Sequence, residues 1–336
     1  MRRIGIISLF ISLFVLSCEP GGVSNGEFDV PPGFTTPVYH PVDNGMNQQG
    51  YYLGRKLFFD PILSRNGTIS CGSCHHPNAA FSDSGNAMSV GIDAQTGHRN
   101  SPPLFNLAWQ PAFMWDGGIN HIEVMPLAPI TNHVEMDESL SNVVDKLNMS
   151  SEYISLFELV FETKPINSQQ LLKALAWYMT SIVSANSKYD QYMRGETTFN
   201  SSELNGLNIF NNTCASCHTP PLFTDYSYRN NGLYNIFQDS GRYRITQIAD
   251  DIGKFKVPSL RNVEVTYPYM HDGSIASLEE VIEHYNSSII ASSSLDPLLV
   301  DNQFIELDEF EKLDLLAFLK TLTDQDFLNN SYYTKN

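Results

Sequence analysis

Two short segments constrain this chain more than any other feature: Cys71-Gly-Ser-Cys74-His75 and Cys214-Ala-Ser-Cys217-His218, both reading C-x-x-C-H. That spacing is the attachment signature of c-type haem. Two thiols add across the vinyl groups of one porphyrin, and the adjacent imidazole becomes the proximal ligand of its iron. Zinc and disulfides are the competing uses of paired cysteines. Zinc sites made from two such pairs hold them within roughly 15–20 residues, whereas these lie far apart along the chain. A disulfide has no use for the adjacent histidine. Two covalently bound haem c groups are therefore expected, one on Cys71, Cys74 and His75, the other on Cys214, Cys217 and His218.

The N-terminus supplies the compartment. Arg2 and Arg3 precede an apolar run from Ile4 to Leu16, and Val15-Leu16-Ser17-Cys18 closes it. The run is short for a bilayer span and fits a secretory signal. Its ending has the form of a lipoprotein processing site, so residues 1–18 read as a lipoprotein-type signal peptide with a lipid on Cys18. A plain signal peptide with an incidental cysteine is the alternative. Residues 19–33, rich in Gly and Pro, read as a flexible tether. The expectation is an exported, periplasmic protein anchored to a membrane through Cys18. At 336 residues, 42% apolar and 17% charged, the remainder is globular. A net charge of −17 excludes nucleic acid as a partner and suits a basic or neutral protein instead.

The sequence around the first motif returns around the second. CGSCHHPNAAFSD is echoed by CASCHTPPLFTD, and LGRKLFFD and GLNIFNN both lead into the cysteines. Pro102-Pro-Leu104-Phe-Asn106 matches Pro258-Ser-Leu260-Arg-Asn262, and MWDGGINHIE from Met114 matches MHDGSIASLE from Met270. LAWYMT from Leu175 matches LAFLKT from Leu316, both in helical patterns, 168–186 and 308–323. Phe310, Leu313, Leu316 and Ala317 mark the apolar spacing of the latter. Asn200-Ser-Ser-Glu203 is a capping box opening the second unit's first helix. The order helix, C-x-x-C-H, loop, ligand region, helix thus occurs twice, which is the plan of a cytochrome c domain. The fold expected is mostly α, with two tandem cytochrome c-like haem domains related by an internal repeat. They span 34–187 and 188–328 and join within Ser187–Thr198. By the gap-free spacing, Tyr285 corresponds to Pro129, so a ligand at Tyr285 has no counterpart in the first unit.

The ordered set Arg99-Asn-Ser-Pro102, Trp115-Asp-Gly117, Val134-Glu-Met136, Pro258-Ser-Leu-Arg-Asn262 and Tyr269-Met-His-Asp-Gly273 resembles the bacterial dihaem cytochrome c peroxidases. That family includes the methylamine-utilisation dihaem maturase, and the resemblance covers about residues 45–325 with both haem motifs. It implies that one haem reduces hydrogen peroxide and the other takes in electrons from a small donor such as cytochrome c or a cupredoxin. It further implies that Trp115 bridges the two haems and that Glu135 is the distal acid–base group. A calcium ion is implied on Asn100 with the carbonyls of Thr266 and Pro268, oxygen ligands that suit a hard cation. A homodimer is implied as the assembly.

Family members that need prior reduction block the peroxide iron with a histidine, and Ile92 stands at that place here. His98, six residues on, reaches it only after a loop shift. A second distal group, often Gln, is replaced by Met125, and Pro129 narrows the pocket. Above the second haem the ligand is Tyr285 or Met270, with opposite effects on potential: phenolate lowers it and thioether raises it. His271 and Asp272 then read as loop-shaping and domain-contact residues, and His284 as exposed. Three functions stay open. One is a peroxidase, another a maturase-like oxidation of aromatic residues on a partner protein, and the third a non-catalytic electron carrier.

Overall fold

The computed structural model describes residues 28–41, 45–301 and 305–335. The signal segment and Cys18 lie outside the described residues. The chain is mostly helical: α1 (Gln48–Phe59), α2 (Leu127–Thr131), α3 (Leu140–Met149), α4 (Ser151–Phe161), α5 (Ser168–Thr180), α6 (Lys188–Met193), α7 (Ser201–Thr213), α8 (Tyr243–Thr246), α9 (Leu278–Ser287), α10 (Pro297–Asp301), α11 (Glu309–Lys320) and α12 (Gln325–Leu328). A two-stranded antiparallel ribbon, β1 (Tyr228–Arg229) and β2 (Phe255–Lys256), pairs Tyr228 with Lys256.

Local chemistry sets the longer helices. Side chains of Asn47, Asn167, Asn200, Ser277 and Asp308 cap α1, α5, α7, α9 and α11, satisfying amide groups the first turn leaves unpaired. The expected box at Asn200 and Glu203 is one of them. Helix α5 stops at Thr180, short of 186, and Ser181 turns its amide back to Trp177 and Tyr178.

Two helix pairs carry the fold. Helix α1 packs on α5, and α7 on α11. Each crossing is closed by a glycine: a Cβ on Gly54 would stand 2.0 Å from the Ala174 carbonyl oxygen, and one on Gly206 1.9 Å from that of Asp314. The second crossing also corrects the face assigned to α11. Leu315, Leu316, Phe318 and Leu319 are buried, whereas Phe310 is 79% and Leu313 61% exposed. Close approach at Asp314 turns one stripe of the helix inward and leaves those two apolar side chains outside it.

The core falls into two main clusters. The first gathers Leu57, Phe58, Phe81, Leu104, Tyr178 and others of the N-terminal half, the second Phe210, Phe223, Leu315 and Phe318. Phe327, Leu328 and Tyr333 cross back to the first cluster, although the sequence pattern runs the second unit on to 328. Tyr178 fixes that return, donating its hydroxyl to the Tyr333 carbonyl at 2.8 Å. The segment expected as a joint, residues 187–198, is anchored at its start. A capping box at Ser187 and Asp190 starts α6, and Asp190 forms two hydrogen bonds with the buried Arg261 at 2.7 and 2.8 Å.

Candidate haem sites

The four cysteines are unpaired with one another. Burial pushes the Cys71 thiol up to about 12 and those of Cys74 and Cys214 to about 11. Among the described residues no cluster of three or more His, Cys, Asp or Glu side chains is arranged around a metal ion.

The two histidines carry the clearer sign. His75 Nδ1 lies 2.7 Å from the Phe81 carbonyl oxygen. His218 Nδ1 lies 3.2 Å from that of Phe223 and 3.1 Å from that of Pro258. A carbonyl only accepts, so each Nδ1 carries the proton and each Nε2 keeps its lone pair for iron. Burial lowers His75 to about 4 and lowers His218 as well, so both are neutral, as ligation requires. Phe81 and Phe223 both adopt left-handed backbone, φ 58° and 54°. The recurring Phe-Ser/Thr-Asp in the sequence was the signal for this turn. Thiols, tautomer and charge state all fit covalent haem at both motifs.

In the first pocket, burial raises the Glu135 carboxyl above its ordinary range, and Asn132 Nδ2 partly offsets this with a 2.6 Å hydrogen bond. Glu135 influences the ionisation of both Cys71 and Cys74, which puts it in the same pocket. Ile92 is fully buried and donates its amide to the Glu135 carbonyl at 2.8 Å. Gly91 makes the approach feasible, since a Cβ there would meet the Val134 carbonyl oxygen at 2.1 Å. Pro129, half-buried in α2, accepts from the Met136 amide at 3.3 Å, and Met125 is buried. His98 is exposed and lines a separate cavity of about 690 Å³ with Asp239, His271 and Asp272.

In the second pocket, Tyr285 projects from α9 and interacts electrostatically with Cys214 and Cys217. Burial pushes its phenol up to about 12, and a hydrogen bond with Asn231 opposes that. Asn231 Nδ2 also donates to Met270 Sδ at 3.2 Å. Both candidate ligands thus meet the same asparagine, a residue the sequence pattern did not reveal. His284 is 5% exposed, not on the surface, because its Nε2 is held 3.0 Å from the Asn231 carbonyl oxygen. His271 stacks on Phe255 at 3.7 Å, and Asp272 accepts from the Tyr234 hydroxyl.

Trp115 lies between the two halves. Its indole donates to the Asn100 carbonyl at 2.8 Å, and its own carbonyl accepts from the Lys256 amide on β2 at 2.8 Å. A cavity of about 70 Å³ brings together Trp115, Met125, Leu104, Lys256 and Pro258. Pro258 is the residue whose carbonyl faces His218. Lys256 Nζ reaches Gln110 and the Ala112 carbonyl at 2.8 Å, and burial lowers it to about 7. Arg99 clamps the halves, bonding Asp116 on one side and Asp239 on the other. Neither Lys256 nor Asp239 carried any sequence signal.

Asn100, 8% exposed, donates Nδ2 to the Asn86 and Ala87 carbonyls and its amide to that of His271. Gly85 donates to the Tyr267 carbonyl at 2.9 Å, drawing the same loop against the turn that holds Thr266 and Pro268. The amide oxygen of Asn100 takes no part in these three bonds.

The family model for di-haem cytochrome c peroxidase matches residues 48–198. The chain is 36% identical to methylamine utilization protein MauG of Methylorubrum extorquens, covering 85% of this chain and 81% of that one. It is 34% identical to cytochrome c551 peroxidase of Nitrosomonas europaea, covering 96% and 92%. Among solved structures, a MauG-like protein associated with microbial copper homeostasis superposes with TM-score 0.85 and 32% identity, covering 92% of this chain and 98% of that one.

Proposed function

The chain belongs to the di-haem cytochrome c peroxidase family, and on that premise we propose that it reduces hydrogen peroxide to water in the first pocket. Electrons come from a small donor, a cytochrome c or cupredoxin, through the second. Residues 34–187 and 188–328 act as tandem haem domains related by an internal repeat. The paired glycine crossings and the paired His–Phe turns support this reading. Haem, once attached, supplies the iron on which the O–O bond is cleaved and the potential that drives it.

The protein's share is access, proton management and wiring. Ile92, packed on the Glu135 carbonyl where a blocking histidine would stand, is the observation that carries the reading. The side of the first pocket facing Glu135 is then open to peroxide without prior reduction. Glu135 takes the proton from one peroxide oxygen and returns it to the other. A carboxyl with a raised pKa is suited to visiting both states. Two electrons and two protons per peroxide yield two waters. Trp115, bonded to both halves, is the path between the pockets. Tyr285 and His218 would hold the iron of the second haem, with Met270 bonded instead to Asn231. Asn100, Thr266 and Pro268 would hold calcium beside the Trp115 loop, since the Asn100 carbonyl also accepts the indole N–H. We further propose export to the periplasm, lipid attachment at Cys18 and a homodimer.

The maturase-like alternative draws on Tyr285, whose phenolate favours high oxidation states. The test is peroxide-dependent oxidation of reduced cytochrome c by protein that has never been pre-reduced. Immediate turnover is expected. Turnover only after reduction would overturn the open first pocket. A haem spectrum that responds to peroxide without donor oxidation would favour the maturase reading, and no response would leave an electron carrier.

A further inference from the structure

A second line of rings leaves the first pocket without passing Trp115. The Tyr178 phenol is close enough to Cys71 to feel its charge. Its ring lies 5.1 Å from Phe58, which faces His75 at 6.5 Å. Tyr178 meets Tyr51 at 5.6 Å. Tyr51 stacks on Tyr332 at 4.4 Å and touches Tyr52 at 5.4 Å. Tyr178 and Tyr51 are fully buried, whereas Tyr52 is 41% exposed. Three redox-active phenols in ring contact therefore lead from the first haem site to solvent.

We propose that Tyr178, Tyr51 and Tyr52 form an electron relay that makes Tyr52 a surface site for oxidising small phenolic donors. The inference rests on the first pocket being the peroxide-reducing one. The proton chemistry favours an endpoint at Tyr52. Tyr178 and Tyr51 donate their hydroxyls to the carbonyls of Tyr333 and Tyr332, which are not bases, and burial raises both phenols far above their ordinary value. Neither has a base beside it to take its proton, so each passes the electron on without holding the oxidation. Arg55 lies 5.8 Å from the Tyr51 ring and 5.1 Å from that of Tyr52, which disfavours positive charge on either. Tyr52 alone of the three can release its proton to water. It sends one electron inward, loses one proton to solvent and becomes a neutral phenoxyl radical. A phenolic donor restores it with one electron and one proton. Two such events match one peroxide: hydrogen peroxide and two phenols give two waters and two phenoxyl radicals.

The test treats the holoprotein with peroxide and a nitroso spin trap, without donor protein, and locates the adducts by mass spectrometry. Tyr234 and Tyr267, 38% and 46% exposed and off the relay, serve as controls. Adduct concentrated on Tyr52 and largely lost in Tyr51→Phe is expected, with the haem absorbance change on peroxide addition retained. The surface variant Tyr52→Phe should move the adduct to Tyr332. Equal labelling of Tyr52, Tyr234 and Tyr267, or labelling of Tyr52 indifferent to Tyr51→Phe, would overturn the relay alone. Haem absorbance that ignores peroxide in the unmodified protein would overturn the first-pocket reading and the relay with it.

Discussion

Glu135 shows how one side chain's environment becomes chemistry. Its carboxyl is pulled out of water beside the first haem motif, with Asn132 as its hydrogen-bond partner, so it keeps its proton to higher pH than an exposed glutamate. Glu135→Gln should lower kcat/KM for peroxide by about 10²–10⁴-fold while leaving haem content unchanged, as stopped-flow kinetics and absorbance would read. The pH profile carries the sign. The raised pKa moves the acid limb of the wild-type profile upward from the carboxylate range, and the Gln variant should lose that limb. At the second pocket, Asn231→Val releases both Met270 Sδ and Tyr285. A thioether-to-iron absorption band appearing in that variant would show that Asn231 selects the ligand. The residue type at 135 was legible only through family resemblance, since a Glu before a Met is ordinary. Its partner Asn132 and the selector Asn231 were not legible, because each acts through contacts that close only in the fold.

At the scale of elements, the second haem motif starts at the C-terminal end of α7, a helix held by a glycine crossing. Gly206→Ala pushes a methyl group into the Asp314 backbone. Overpacking of this kind costs about 1–3 kcal/mol, and a lowered Tm is expected with the α7–α11 pair affected first. Asp190 offers a test with a pH signature. Burial works against its charge, but Arg261 and Ser187 outweigh that and hold the carboxyl below its ordinary value. The folded pKa therefore lies below the unfolded one, so this stabilisation is present above the ordinary carboxylate range and is lost as pH falls through the folded value. Asp190→Asn should cost about 3–5 kcal/mol at neutral pH, measured by denaturant titration, and the gap from wild type should shrink in acid. Helix starts were readable from capping residues such as Asn200 and Glu203. The inward face of α11 was not, because apolar spacing cannot say where two backbones touch.

For the whole molecule, the junction of the halves matters most. Arg99 ties Asp116, next to Trp115, to Asp239 of the other half. Asp239→Asn should slow electron transfer between the pockets while leaving peroxide binding at the first pocket intact. Flash photolysis of reduced protein would separate the two. The C-terminal tail is a second tie, since Phe327 and Tyr333 pack in the first core. Removing residues 325–336 should lower the Tm of the N-terminal half, and an unchanged melt would contradict that packing.

By itself the sequence determined where two haem groups are proposed to attach, Cys71–His75 and Cys214–His218, because the attachment signature needs only five consecutive residues. It also determined the mostly helical character, since capping and periodicity are local. The tertiary structure alone decided the rest. It chose which tautomer each histidine adopts and buried His284. It drew Tyr285 and Met270 onto one asparagine, and it lined up Tyr178, Tyr51 and Tyr52. Those outcomes depend on desolvation and on contacts between residues distant in the chain, and neither is written in any short stretch of it.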